Sequence, residues 1–162
     1  MSPSAPLATA RAAVAVIPGR TPRARAAREQ ITTRAGEYAA EWTVQSMRPL
    51  RRSLVKVSPA WLRHRVLLRM GRALVRDSYQ GSRAISRLRR GTASVDVRAS
   101  IFCTVREPVP SPLCGYYAAA FTRLMVLFDV GAHIEVVACR GTGETSCVLN
   151  VALRNGQPPE VP

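Results

Sequence analysis

The chain has 162 residues, 24 of them basic against 10 acidic, for a formal charge of +14. That length supports one domain with a single core and excludes two ordinary ones. The charge predicts affinity for polyanions at low salt, whether nucleic acid, anionic lipid or a carboxylate-bearing ligand. Every cation but Lys56 is arginine in an alanine-rich chain, so composition selects none of the three.

Four cysteines are too few for a secreted disulfide framework, and the apolar run Ala12 to Ile17 is too short for a signal peptide. No stretch is long and apolar enough to span a bilayer. The expected location is a reducing cytoplasm, with at most peripheral contact with a membrane.

Residues 1 to 27 hold Pro3, Pro6, Pro18 and Pro22, several arginines and no acidic group, which predicts a disordered basic arm. From Ala27 to Met47, Ile31, Ala35, Tyr38 and Trp42 recur at helical spacing, and Pro49 ends the run. Ser58-Pro59 reads as a helix start, the hydroxyl capping and the proline filling the first turn. That helix runs to about Tyr79, with Leu62, Val66, Met70 and Leu74 as its apolar stripe, widened by Leu67 and Val75. Its other faces carry arginines, Arg72 and Arg76 among them. They are either a solvated face or the seat of an anionic ligand.

Val95, Val97, Ala99, Ile101, Cys103 and Val105 alternate with mostly polar neighbours, which predicts a half-buried strand with Cys103 on its core side. The proline-rich loop from Glu107 to Leu113 cannot continue a sheet. After Cys114 comes an apolar helix, Gly115 to Phe128. Ile134 to Cys139 and Cys147 to Leu153 then form a hairpin around Gly141 and Gly143, and residues 155 to 162 form a frayed tail.

If the hairpin strands pair so that Cys139 faces Cys147, their Cβ atoms lie about 5 Å apart, near enough for two thiolates to share one metal ion. Cys114 offers a third ligand. Buried reduced cysteines are the plain alternative. Gly141-Thr-Gly143 sits in a hairpin instead of between a strand and a helix, so it is no dinucleotide fingerprint; no NAD or flavin motif is visible. The aromatics are too scattered for a nucleic-acid platform, so nucleic acid is a weak candidate partner.

The order Pro112-Leu-Cys114-Gly-Tyr-Tyr-Ala-Ala-Ala-Phe, then Ile134-Glu-Val-Val-Ala-Cys139 and a second cysteine at Cys147, resembles the C-terminal part of the 4-vinyl-reductase domain family. The nearest branch is the one encoded with bacteriochlorophyll biosynthesis. The resemblance covers roughly residues 95 to 153 well and 35 to 90 loosely. It implies an α/β (α+β) fold: N-terminal helices packed on an antiparallel sheet, with one late helix and a C-terminal hairpin, in a single small-molecule-binding domain over residues 28 to 154.

The resemblance also implies a structural zinc ion held by three cysteines and a glutamate. Carried over by position, these are Cys114, Cys139, Cys147 and Glu135. The glutamate departs from the family pattern, because it lies four residues before Cys139 where the family has three. Four residues of regular strand span about 13 Å, so only a bulge would bring Glu135 to the ion; water or Cys103 could complete the site instead, although Cys103 belongs to a strand face that reads as core.

The implied ligand is a chlorophyllide-type Mg-tetrapyrrole, held in an apolar cavity between the late helix and the sheet. Tyr116 and Tyr117 would meet the macrocycle edge, and Arg72 and Arg76 its carboxylate. The implied partners are pigment-biosynthesis enzymes, and the family pattern allows a homodimer. The function expected is a carrier or accessory role in reducing the pigment's vinyl group. The alternatives are the 4-vinyl reductase itself, a zinc-containing sensor domain and an arginine-rich nucleic-acid-binding protein.

Overall fold

The computed structural model describes residues 22–154; the remainder of the expected arm, and the tail, lie outside the described residues. The first helix, α1 (Pro22–Gln45), opens on a proline whose missing N–H costs nothing in a first turn, so residues 22 to 27, expected in the arm, are helical. Its small residues Gly36, Ala39 and Ala40 face inward. A Cβ at Gly36 would collide with the Tyr116 carbonyl, so α1 packs backbone to backbone on the late helix.

Pro49 does not merely stop a helix. It starts another, α2 (Pro49–Val57), which the sequence reading missed. Ser58 terminates α2, its hydroxyl donating to the Val55 carbonyl, and does not cap α3 (Ala60–Ser78), where Pro59 holds the capping position. Along α3 the buried set is His64, Leu67, Leu68, Met70, Gly71, Leu74, Val75 and Ser78, so Leu67, Met70, Leu74 and Val75 of the expected stripe are in the core, while Val66 is half-buried and Leu62 exposed.

Two hairpins build the sheet. β1 (Arg83–Arg89) and β2 (Thr92–Arg98) meet at Arg90 and Gly91, both with positive φ, as a tight hairpin turn requires. Arg83, Arg87 and Arg89 lie on β1, the edge strand. β3 (Gly131–Ala138) and β4 (Cys147–Arg154) form the second hairpin, and the antiparallel order is β1-β2-β4-β3. The late helix α4 (Gly115–Leu127) links the two hairpins. Ala93, Val95 and Val97 of β2 and Cys147, Leu149, Val151 and Leu153 of β4 turn inward to the helices. The architecture is the α+β arrangement of helices on an antiparallel sheet.

The strand expected to reach Val105 stops at Arg98. Ala99 adopts a positive φ, its carbonyl accepts from the Ser82 hydroxyl, and the chain turns into a 3₁₀ segment, Ile101–Cys103. The apolar alternation continued past the strand because one face of that turn is also buried. This bend brings Cys103 across to the second hairpin.

Candidate metal centre

Four elements each deliver one cysteine to a single buried point. Cys103 ends the 3₁₀ turn, Cys114 precedes the first turn of α4, Cys139 follows β3 and Cys147 opens β4. All four are unoxidised and buried, and their sulfurs lie within 4.8 Å of one another. Cys103 Sγ is 3.1 Å from Cys114 Sγ, 3.5 Å from Cys139 Sγ and 3.4 Å from Cys147 Sγ, and Cys114 Sγ is 3.5 Å from Cys139 Sγ.

These spacings can be set against a known coordination geometry. Tetrahedral zinc–thiolate bonds of about 2.3 Å put the sulfurs about 3.8 Å apart, so the four close sulfur contacts would lengthen by about 0.3–0.7 Å to hold one ion. An iron–sulfur cluster, with several irons and sulfides between its thiolates, needs a wider cage.

The backbone is arranged for charged sulfur. Leu113 N–H points at Cys139 Sγ (3.3 Å) and Arg140 N–H at Cys147 Sγ (3.4 Å). Between the hairpin cysteines, Thr142 N–H and its hydroxyl both donate to the Cys139 carbonyl, and Gly143 closes the turn at φ +96°. Gly141 packs closely on Leu113, whose side chain would have to shift to admit a Cβ there, and its carbonyl accepts from Val109 N–H. The Pro-rich loop and the hairpin turn therefore grip one another around the sulfurs.

The thiols share charge unequally. Hydrogen bonds from Cys103 and Cys114 pull Cys147 down to about 2, so one thiolate forms readily. For Cys103 the contact with Cys114 lowers the value, but its bond to Cys147 and burial outweigh that and push it up to about 12. The bonds Cys114 makes to Cys103 and Cys147, together with burial, push it far above the usual thiol range. Alone, the cluster tolerates one negative charge; four thiolates need a cation among them.

Cys114, Cys139 and Cys147 are thus brought together, and Glu135 is not. A bulge does occur in β3, where Val136 pairs with Leu149 and Ala138 with Val148, leaving Val137 extra. It works against Glu135. In regular strand Cys139 would share the exposed face of Glu135 and Val137; the extra residue turns Cys139 to the core and leaves Glu135 outside. There Glu135 accepts a long bond from Asn150 (3.5 Å) and lies 3.9 Å from His133. The fourth sulfur is Cys103, assigned to core from its alternation. The cysteine count was its one signal in the sequence; nothing there marked the bend at Ala99 that places it.

The expected pigment cavity between α4 and the sheet is filled. Tyr116, Tyr117, Phe121, Leu124, Met125 and Phe128 are all at most 1% exposed. Tyr116 and Tyr117 form an aromatic cluster with Phe102, at centroid distances of 4.8 and 5.6 Å, and burial raises both phenols. They are core residues with no exposed edge to offer a macrocycle.

Arg72 and Arg76 separate. Arg72 lines an open groove of about 210 Å³ between α3 and β1, together with Arg65, Arg69, Leu68, Ser86 and Leu88. Arg76 is exposed and pairs with its neighbour Asp77 at 3.1 Å.

No family model matches the chain, and no curated protein matches its sequence. Among solved structures, it is similar to the H-NOX domain of Shewanella oneidensis in the Fe(II)CO ligation state. The TM-score is 0.50 at 13% identity over 88% of this chain and 74% of that one. It is also similar to a mutant H-NOX protein from S. oneidensis in the Fe(II) state, with TM-score 0.44 at 14% identity over 80% and 65% of the two chains. At such identity the first likeness is one of fold: helices on a four-stranded antiparallel sheet.

Proposed function

We propose that this chain is a metal-clasped binding domain in which Cys103, Cys114, Cys139 and Cys147 hold one structural zinc ion. The observation that carries the reading is the convergence of four buried thiols within 4.8 Å. Two N–H donors aimed at sulfur support it, as does the absence of room for a larger inorganic cluster. Four protein ligands leave no open position, so the ion serves structure and takes no substrate. Elemental analysis of the purified protein should find one zinc per chain, and Cys103→Ser should abolish it. Metal-free protein with an unchanged fold would overturn the assignment.

A second reading concerns the ligand. The family resemblance points to a chlorophyllide-type tetrapyrrole, and the Arg65, Arg69 and Arg72 groove is a place on this surface suited to its acidic edge. Its volume of about 210 Å³ is below the range of roughly 300–1,000 Å³ that encloses a small molecule, so only an edge of the pigment would dock there. The role proposed is to hold or present the vinyl-bearing pigment to a separate reductase. Titration with chlorophyllide at physiological salt should saturate for the native chain and weaken for Arg69→Ala with Arg72→Ala. Vinyl reduction by this chain with only pigment and a nicotinamide donor would overturn the accessory role.

A further inference from the structure

The helix α2 is built inside out. Leu50, Leu54 and Val57 recur at spacings of four and three, the stripe that would normally face a core. They are instead 81%, 67% and 79% exposed, and only Val55 is buried. Connections of residues 46–48 and 58–59 hold the C-terminal end of α1, all of α2 and the start of α3 together. Those flanking ends expose Trp42 and Trp61. The Lys56–Asp129 ion pair, at 2.9 Å, fixes α2 beside the C-terminal end of α4.

Charge decides what covers this surface. From Glu41 to Asp77 the chain has no acidic residue, and the α2 region carries Arg48, Arg51, Arg52 and Lys56, with Arg65 stacked over Trp61. A second copy docked by two-fold symmetry would oppose the same cations against themselves. Nucleic acid would satisfy the arginines and leave Leu50, Leu54 and Val57 against a polar groove. An anionic bilayer satisfies both: phosphates for the arginines, the acyl boundary for the aliphatic stripe and the interfacial layer for the indoles.

We infer that α2 and the helix ends flanking it form a docking surface for anionic membrane lipid, with Leu50, Leu54 and Val57 inserting at the acyl boundary. The inference is independent of the metal and of the pigment. It uses the protein's own reporters, because Trp42 and Trp61 are the only tryptophans and both lie on the surface.

The test mixes full-length protein with vesicles of phosphatidylcholine alone or of equimolar phosphatidylglycerol and phosphatidylcholine, reading tryptophan emission and co-sedimentation. A blue shift with sedimentation on the anionic vesicles, weakened by salt and absent on the neutral ones, is expected. The Leu50→Ser, Leu54→Ser, Val57→Ser variant should bind at least about tenfold more weakly while keeping its circular dichroism and metal content. Equal binding to neutral vesicles would overturn the inference. So would an unshifted emission accompanied by self-association, or by binding to duplex DNA at the same salt.

Discussion

The two ends of α4 are finished in opposite ways. At its N-terminal end Cys114 joins three other buried sulfurs, backbone N–H groups point at them, and Leu113 and Gly141 close against each other. At its C-terminal end, 13 residues or about 20 Å away, Asp129 holds α2 by one ion pair while α2 turns its apolar stripe to water. One end gathers polar groups inward and calls for a cation; the other presents cations and apolar groups outward and calls for an anionic surface. The molecule has a rigid staple and a sticky edge, held apart by a packed helix.

Removing the metal is the strongest way to break that contrast. Structural zinc contributes about 10–16 kcal/mol in small fingers, and here a hydrophobic core carries part of the load, so a loss of about 3–5 kcal/mol is expected. A strong chelator, or Cys114→Ser, should lower the thermal midpoint by about 10 °C or more. Scanning calorimetry reads it directly, and an unchanged midpoint would show that the sulfurs are only packing. Below the new midpoint, emission from Trp42 and Trp61 should stay as it was.

The spacer between the ends is tested by Gly36→Ala. An alanine ordinarily favours a helix over glycine by roughly 0.5–1 kcal/mol. At Gly36 its Cβ would overlap the Tyr116 carbonyl, and backbone cannot step aside as a side chain can. The helices would have to separate, for a net loss of about 1–3 kcal/mol in urea denaturation. A stabilised variant would show that α1 and α4 are not in close contact.

How much of this was legible in the sequence follows the same division. The second hairpin and the apolar helix after Cys114 were readable, because turn glycines and periodic apolar residues fix them locally; the meeting of Cys114 with Cys139 and Cys147 was implied by the family resemblance. The position of Cys103 was not, because the residue that bends the chain is Ala99, whose positive φ carries no compositional mark. Glu135 misled for a related reason: one extra residue in β3 exchanges inside for outside, and only pairing with β4 shows where it falls. α2 escaped because Pro49 stops one helix and starts another with the same chemistry. The filled space under α4 was invisible too, since an apolar helix lining a cavity and one packed solid have the same composition.

A smaller and reversible effect should appear with pH in the metal-free protein. Cys103 titrates at about 12 when folded against a usual 9.0, so its burial stabilises the fold fully below pH 9 and ceases to as pH rises from 9 to 12. Cys147 runs the other way: lowered to about 2, its thiolate contributes above pH 9 and the contribution fades as pH falls toward 2. Metal-free protein should therefore gain stability up to about pH 9, from Cys147, and lose it above, from Cys103. Metal-bound protein, its thiolates already ionised, should lose it chiefly in acid as protons displace the ion. Denaturation midpoints from pH 7 to 11, with and without zinc, separate the two, and parallel curves would mean that the cysteines do not titrate as a group.

The smallest effect on stability belongs to the exposed edge, which makes it informative. Leu54 is 67% exposed, so Leu54→Ser removes little buried area and should shift the unfolding free energy by no more than about 0.5 kcal/mol. The same change should weaken vesicle binding, because the leucine's apolar surface has no partner within the fold. Glu135→Gln is the matching control at the other end, where zinc content and stability should be unchanged, the carboxylate being outside the sulfur cluster. If Leu54→Ser instead destabilised the chain by about 2 kcal/mol, as a truncated core residue does, the α2 stripe would be buried in solution and the contrast between the ends would collapse.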